Sequence, residues 1–523
     1  MTVFSFSEIN AVDIFVFIFI LYGSINISFK GDNYEPLIAI KWLSIIVIYF
    51  IFRLQTKRSK VIVMYFIIIS GLVQCVMCLL QFASILTPNN SIFPITGSFT
   101  NPGHVGGYLA VSFSLAVSLL VNNKEHQSKN TRMFLAISAV MILGVILMSK
   151  SRAALLACAI AAIIIFYQSA YYGKCSSQMR CVFTFVAIVI TLSSIVALYS
   201  IRPKSANSRV LIWRIGIGMI KDKPIFGGGV ASFRSSYMYK QAEYFKIHKD
   251  SKFTLIANNN YQSFNEFIHI TCEQGIVGLV ILLSILFAAF FQQYSSVEKP
   301  ALAALITVSC FLYVSDIPPI LIMFPVLLAL PYNAEKHRNI DLKRSKHIPL
   351  LLVTVAVSLA IVSFYIKEKY DIVRKDIISS YKLEWPLIKR NDKEYALMLH
   401  NKDFALRYAS VSQEFGDVVY AINTLEDVRR YMPTGEMLSD LGDLYAEKGN
   451  ERLAISNYWL AHYMIPSRII PLYKLFLFYK KRGDIVDARR VAKIIISQHY
   501  SKVGSIVLRA KHEAKIYYFG SNN

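Results

Sequence analysis

The chain has 523 residues, 55% of them hydrophobic, and carries a formal charge of +23. A mean hydropathy of +0.44 is too apolar for a soluble protein with an ordinary wet surface. The charge therefore reads as the Lys and Arg that collect in membrane-protein loops rather than as a nucleic-acid footprint. The seven cysteines lie in or beside apolar runs, or flank a short loop, and show neither metal-ligand spacing nor a disulfide framework.

Apolar runs long enough to cross roughly 30 Å of hydrocarbon follow one another along the chain. Eleven spans are expected, near 10–28, 36–53, 61–86, 104–121, 132–149, 153–171, 181–200, 272–292, 301–314, 318–331 and 348–366. The ninth and tenth are short and flank Ser315-Asp316-Ile317-Pro318-Pro319, which suits a hairpin of short helices or one broken element. The first run has no positive leader region and no small-residue cleavage site, so it reads as a spanning helix. Arg53, Lys57, Arg58, Lys60, Lys124, Lys129, Arg132, Lys174, Arg180, Lys299 and the basic cluster at 336–346 follow even-numbered spans, whereas few basic residues follow odd ones. This asymmetry predicts a cytoplasmic N-terminus and an outward-facing long loop and C-terminal tail.

The long loop, 201–271, is polar, basic and aromatic. Loops of that length in a compact protein are usually functional or disordered, and Tyr237, Tyr239, Tyr244, Tyr261 and Trp213 argue against disorder. Its many lysines read chiefly as a solvated or headgroup-facing surface. Ser208 to Arg214 reads as a helix at the membrane interface with Trp213 as anchor. Asp222-Lys223-Pro224 followed by Gly227-Gly228-Gly229 reads as a turn rather than a nucleotide loop.

Two more polar features share the outer face. Ser151-Arg152 is squeezed between spans five and six, where a guanidinium either forks onto a phosphate or snorkels to headgroups. At the re-entry, Asn265, Glu266 and Glu273 precede Gly275-x-x-Gly278; acids entering a span are costly unless they face a cavity. Asn101-Pro102-Gly103-His104 is expected to help close the same cavity.

Residues 367–400 read as a helical linker and 401–510 as helical repeats. Gly416, Ala421 and Pro433 recur as Gly449, Ala454 and Pro466; Tyr445, Gly449 and Ala454 recur as Tyr479, Gly483 and Ala488. A period near 34 with small residues at the helix crossing resembles the tetratricopeptide repeat. Such a domain either binds a protein partner or caps the membrane part. The fold class expected is all-α: a polytopic membrane protein followed by an α-solenoid.

Ser151-Arg152-Ala153-Ala154, the Arg209…Trp213 element, the Asp222-x-Pro224-x-x-Gly-x-Gly turn and the re-entry together resemble the O-antigen ligase/polymerase superfamily of bacterial envelope glycosyltransferases. The resemblance covers about 90–292. It implies a GT-C-like bundle in the bacterial inner membrane with a periplasmic loop and tail. It implies an undecaprenyl-diphosphate-linked glycan as donor and no metal or other cofactor. The acceptor is lipid A-core, a growing glycan or a protein, which separates ligase, polymerase and oligosaccharyltransferase. Arg152, Arg209 and Arg214 then bind the diphosphate, and Asn265, Trp213 and Glu273 support the site. Where the family places His, nine residues and an Asn away from Gly-x-x-Gly, this chain has Phe264. Glu266, or His269 one turn further on, is then the base candidate. Rival readings are a transporter of lipid-linked glycan, against which no symmetry between halves is visible, and a non-catalytic scaffold.

Overall fold

A computed structural model describes residues 10–28, 36–55, 57–122, 127–169, 176–182, 184–185, 203–291, 297–330 and 402–520. Every regular element among them is helical. Most of the expected seventh span, the eleventh span and the linker 367–400 lie outside the described residues.

The membrane part contains α1 (Ala11–Ser28), α2 (Pro36–Arg53), α3 (Lys57–Phe82), α4 (Pro102–Asn122), α5 (Lys129–Ser149) and α6 (Arg152–Gln168). Among the described residues, four helical segments are long and apolar enough to cross a membrane: Ser59–Phe82, Pro102–Asn122, Lys129–Ser149 and Glu266–Phe291. Helix α4 is the hub, packing against α3, α5 and α6. Small residues make this possible. Ser112, Ser114 and Ser118 are buried, and a Cβ on Gly106 would press on Ser151 at the start of α6. Peripheral helices instead show bare apolar faces, as at Phe66 and Val140, which suit lipid.

Two long loop helices follow, α7 (Pro203–Asp222) and α8 (Ser232–Ile247). The chain re-enters as α9 (Glu266–Phe291), six residues before the expected boundary of 272, because Asn265 caps it by accepting from the Ile268 amide. After α10 (Glu298–Ser309) come two very short helices, α11 (Pro318–Leu321) and α12 (Met323–Ala329). The expected ninth span is thus cut to twelve residues, and the tenth is broken in two.

Arg53 and Lys60, read above as loop charges, are turned into the protein. Arg53 pairs with Asp13 at 2.9 Å, and the buried Lys60 donates to the Ala329 carbonyl at 2.6 Å. Buried charge in an apolar body must find partners, and here neighbouring helices supply them.

The C-terminal helices pair as hairpins: α13 (Lys402–Glu414) with α14 (Val418–Tyr431), α15 (Gly435–Glu447) with α16 (Glu451–Met464), and α17 (Ile470–Arg482) with α18 (Ile485–Ser497). A last helix, α19 (Ser505–Phe519), packs on α18. Each hairpin turn uses the same two residues. Gly416, Gly449 and Gly483 have φ of +78°, +80° and +75°. The following Asp417, Asn450 and Asp484 accept from the amides three residues on. Ala421, Ala454 and Ala488 are fully buried at the crossings. The recurrence seen in the sequence therefore marks equivalent positions.

The C-terminal helices do not stand apart from the loop. Helix α8 packs on α14 and α16, and Phe233, Tyr237 and Phe245 share one core with Leu425, Met437 and Met464.

Candidate active site

The loop and the re-entry helix meet at a backbone crossing. Helix α9 is broken at Gly275, whose φ of 68° and ψ of −168° lie outside helical space. A broken helix in an apolar body frees amides and carbonyls that must be paired. The Pro224–Gly229 strap supplies the partners. Gly228 and Gly229 donate to the Cys272 and Glu273 carbonyls at 2.9 and 2.8 Å. Ile276 and Val277 donate to the Pro224 and Ile225 carbonyls at 2.9 and 3.3 Å. Tyr22 on α1 donates to the Gln274 carbonyl at 2.6 Å, and Asn26 donates to the Phe226 carbonyl at 2.9 Å. The backbones lie so close that a Cβ on Gly227 would overlap Glu273, and one on Gly275 would overlap Ile225. The glycine turn and the Gly-x-x-Gly re-entry are two halves of one joint.

Beside this joint lies a cavity of ≈ 280 Å³. Its walls are apolar side chains of α1, α2, α9, α10 and α12, among them Ile20, Ile45, Leu282 and Phe324. Its lining follows α9 from Glu266 to Leu286, roughly 30 Å of helix at 1.5 Å per residue. Arg234, Tyr261, Glu266, His269, Glu273 and Asp316 supply its polar lining. Glu266 is 8% exposed and accepts from the Ser315 amide at 2.7 Å. His269 Nε2 lies 3.5 Å from Glu273 Oε1, which also accepts from the Phe233 amide at 3.3 Å. Arg234 contacts Asp316 at 3.6 Å. Carboxylates outnumber cations in this lining, so it is a poor seat for a diphosphate and a better one for a group that accepts a proton.

The cationic side lies elsewhere. Arg209 is half-buried on α7, with its guanidinium 5.6 Å from the Phe264 ring centre. Burial, and behind it the positive charge of Arg152 at the start of α6, holds Arg209 below its ordinary pKa. No ion pair to a carboxylate accompanies Arg209 among the described residues. Two guanidiniums that feel each other's charge in a partly desolvated place attract an anion. Phe264, beside Arg209, meets Tyr313 edge-on with ring centres 5.1 Å apart, and Tyr313 meets His104 edge-on at the same distance.

Several expected site residues have other work. Arg214 is exposed and lies over Phe253 at 5.5 Å; five residues along a helix from Arg209, it points about 140° away. Trp213 turns inward and donates to the Ser263 carbonyl at 3.0 Å, because a half-buried indole N–H needs an acceptor. Asn265 is a helix cap that also donates to the Cys310 carbonyl at 3.2 Å. His104 packs on Tyr313 and does not line the cavity, nor does any residue from Asn101 to Gly103. Phe264, at the family's His position, has φ of +52°, an uncommon conformation for a bulky residue.

Residues 136–283 match the O-antigen ligase family. The matched segment runs from α5 into α9, so it takes in Arg152, Arg209, the strap and the joint at Gly275. It likens that segment to the O-antigen ligases and supports a membrane glycan-processing function in general terms. The C-terminal helices lie outside it. No curated protein and no solved structure gives a significant match.

The sequence reading singled out neither Arg234 as a lining residue nor Phe233, Tyr313 and Asp316. Arg234 was one basic residue among many in the loop. Asp316 stood out only as the polar residue between two short apolar runs, which is the signal that could have found it.

Proposed function

We propose that the protein is an O-antigen ligase-like membrane glycosyltransferase. It moves a glycan from undecaprenyl diphosphate to an acceptor hydroxyl on the outer face of the bacterial inner membrane. The observation that carries this reading is the ligase-family match over residues 136–283, a segment that holds both Arg152 and Arg209, 57 residues apart in sequence. The eleven-span topology, with loop and tail outside, belongs to the same reading. So does a tetratricopeptide-like character for the C-terminal hairpins.

The acceptor O–H attacks the anomeric carbon of the donor sugar. The bond from that carbon to the diphosphate oxygen breaks, and the diphosphate leaves with the electron pair. Arg152 and Arg209 offset the charge that develops on it. The acceptor proton passes to Glu266, whose position is set by the Ser315 amide. His269, whose Nε2 lies 3.5 Å from Glu273, is the second candidate for that proton.

Transfer from a lipid-diphosphate-linked glycan, assayed with purified protein in detergent, tests the assignment. Arg209→Gln is expected to lower turnover by about 10²–10³, and Glu266→Gln by about 10²–10⁴. Unchanged turnover in both variants sinks the assignment. Supplying lipid A-core, glycan and protein acceptors in parallel distinguishes ligase, polymerase and oligosaccharyltransferase.

A further inference from the structure

Helix α8 has two working ends. Its first turn touches the acid–base group from three directions. The Phe233 amide donates to Glu273 at 3.3 Å, and the Phe233 ring lies 5.4 Å from the His269 ring. Arg234 contacts Asp316, the neighbour of the Ser315 whose amide holds Glu266. The next turns are gripped by the C-terminal helices. The buried Gln241 amide donates to the Met464 carbonyl at 2.6 Å and to the Asn258 carbonyl at 3.2 Å. Arg429 on α14 donates to the Tyr239 hydroxyl at 2.8 Å and lies over its ring. Asn259 donates to Glu436 on α15, and Arg468 bonds both Glu436 and Asn258, fastening the loop that follows α8.

We infer that the C-terminal helices are the positioning frame of the active site, acting through α8, with Gln241, Tyr239 and Arg429 as positioning residues. This rests on the transferase reading for what is positioned, but not for the frame itself. This grip gives the C-terminal helices a role that needs no protein ligand. A ligand bound to them would act on turnover by moving α8.

The test uses the full-length protein in detergent. Gln241→Met leaves the buried Met464 carbonyl, and the more open Asn258 carbonyl, without this donor, and Tyr239→Phe is a milder break. Hydrogen exchange of amides in 232–247 is expected to quicken in both variants while exchange in 470–497 stays as in the parent. Gln241→Met is expected to lower kcat about ten-fold, with the KM for lipid-linked donor unchanged, since Arg152 and Arg209 sit on other helices. In an Arg234→Gln background the same substitution is expected to cost less than in the parent, because one of the contacts it acts through, Arg234 to Asp316, is already lost. Full additivity in the two backgrounds, or unchanged exchange in 232–247, overturns the inference. Exchange quickened throughout 402–520 also overturns it, as that is plain unfolding. If the exchange result holds but the parent transfers no glycan, the frame stands and the transferase reading falls.

Discussion

Gly275 and Gly449 each take a positive φ, 68° and 80°, where a helical run breaks, in two different surroundings. At Gly449 nothing lies within 4 Å of where a Cβ would sit, and a single Asn450 side chain caps the next helix. At Gly275 the freed groups are paired by a whole strap of backbone from residues 224–229, packed so closely that a methyl group has no room. Where water is near, a broken helix needs one polar side chain. In the apolar body it needs a second segment of chain, since no solvent can serve the orphaned groups.

The sharpest way to break this comparison is Gly275→Ala. Left-handed strain and overlap with Ile225 combine, and a loss above about 4 kcal/mol is expected, seen as failure to elute as a folded monodisperse species in detergent. Gly227→Ala is expected to behave alike, because it meets the same joint from the other side.

A second contrast uses pH and concerns only the C-terminal helices. Burial lowers the His462 pKa from 6.5 to about 4, so this ring stays neutral when folded. Between those values the unfolded chain binds more protons than the folded one. Stability is therefore full above about pH 6.5 and falls as pH drops toward 4, by up to about 3 kcal/mol. Thermal unfolding of the parent and of His462→Leu over this window checks it: the substitution is expected to flatten the slope.

Smaller effects belong to the C-terminal hairpins, at one buried helix crossing and at one turn. Gly442→Ala forces a Cβ within 2.5 Å of the Tyr458 ring, and about 1–3 kcal/mol is expected. Gly449→Ala meets no atom and carries only left-handed strain, about 1–2 kcal/mol. Asn450→Ala removes a cap worth about 1 kcal/mol. Chemical denaturation monitored by hydrogen exchange in 435–464 ranks the three. If Gly449→Ala proves as damaging as Gly275→Ala, solvent is not what separates the two turns.

These differences bear on what could be read without coordinates. The hairpin turns were legible because each depends on neighbours: Gly449 and Asn450 are adjacent, and their period is short. The two glycine motifs of the joint were also visible, but as separate turns, since about 48 residues part Gly227 from Gly275. Of the expected site residues, Arg209 feels the charge of Arg152; Glu266, His269 and Glu273 line one cavity; and Arg214, Trp213 and Asn265 are drawn into packing and capping. Arg234 and Asp316 gained meaning only from their contact.

The sequence by itself determined the helical class, the apolar character of the membrane part, the period of the C-terminal hairpins and the polar re-entry at Asn265–Gly278. Each rests on hydropathy or on local backbone preference, which neighbouring residues suffice to express. The tertiary structure alone decided that the glycine strap closes the break in α9, that Glu266, His269 and Glu273 line one cavity whose lining leaves out Arg209, and that the C-terminal helices hold α8. Those features arise where distant segments satisfy one another's buried polar groups, and no local pattern encodes which partner a distant segment will supply.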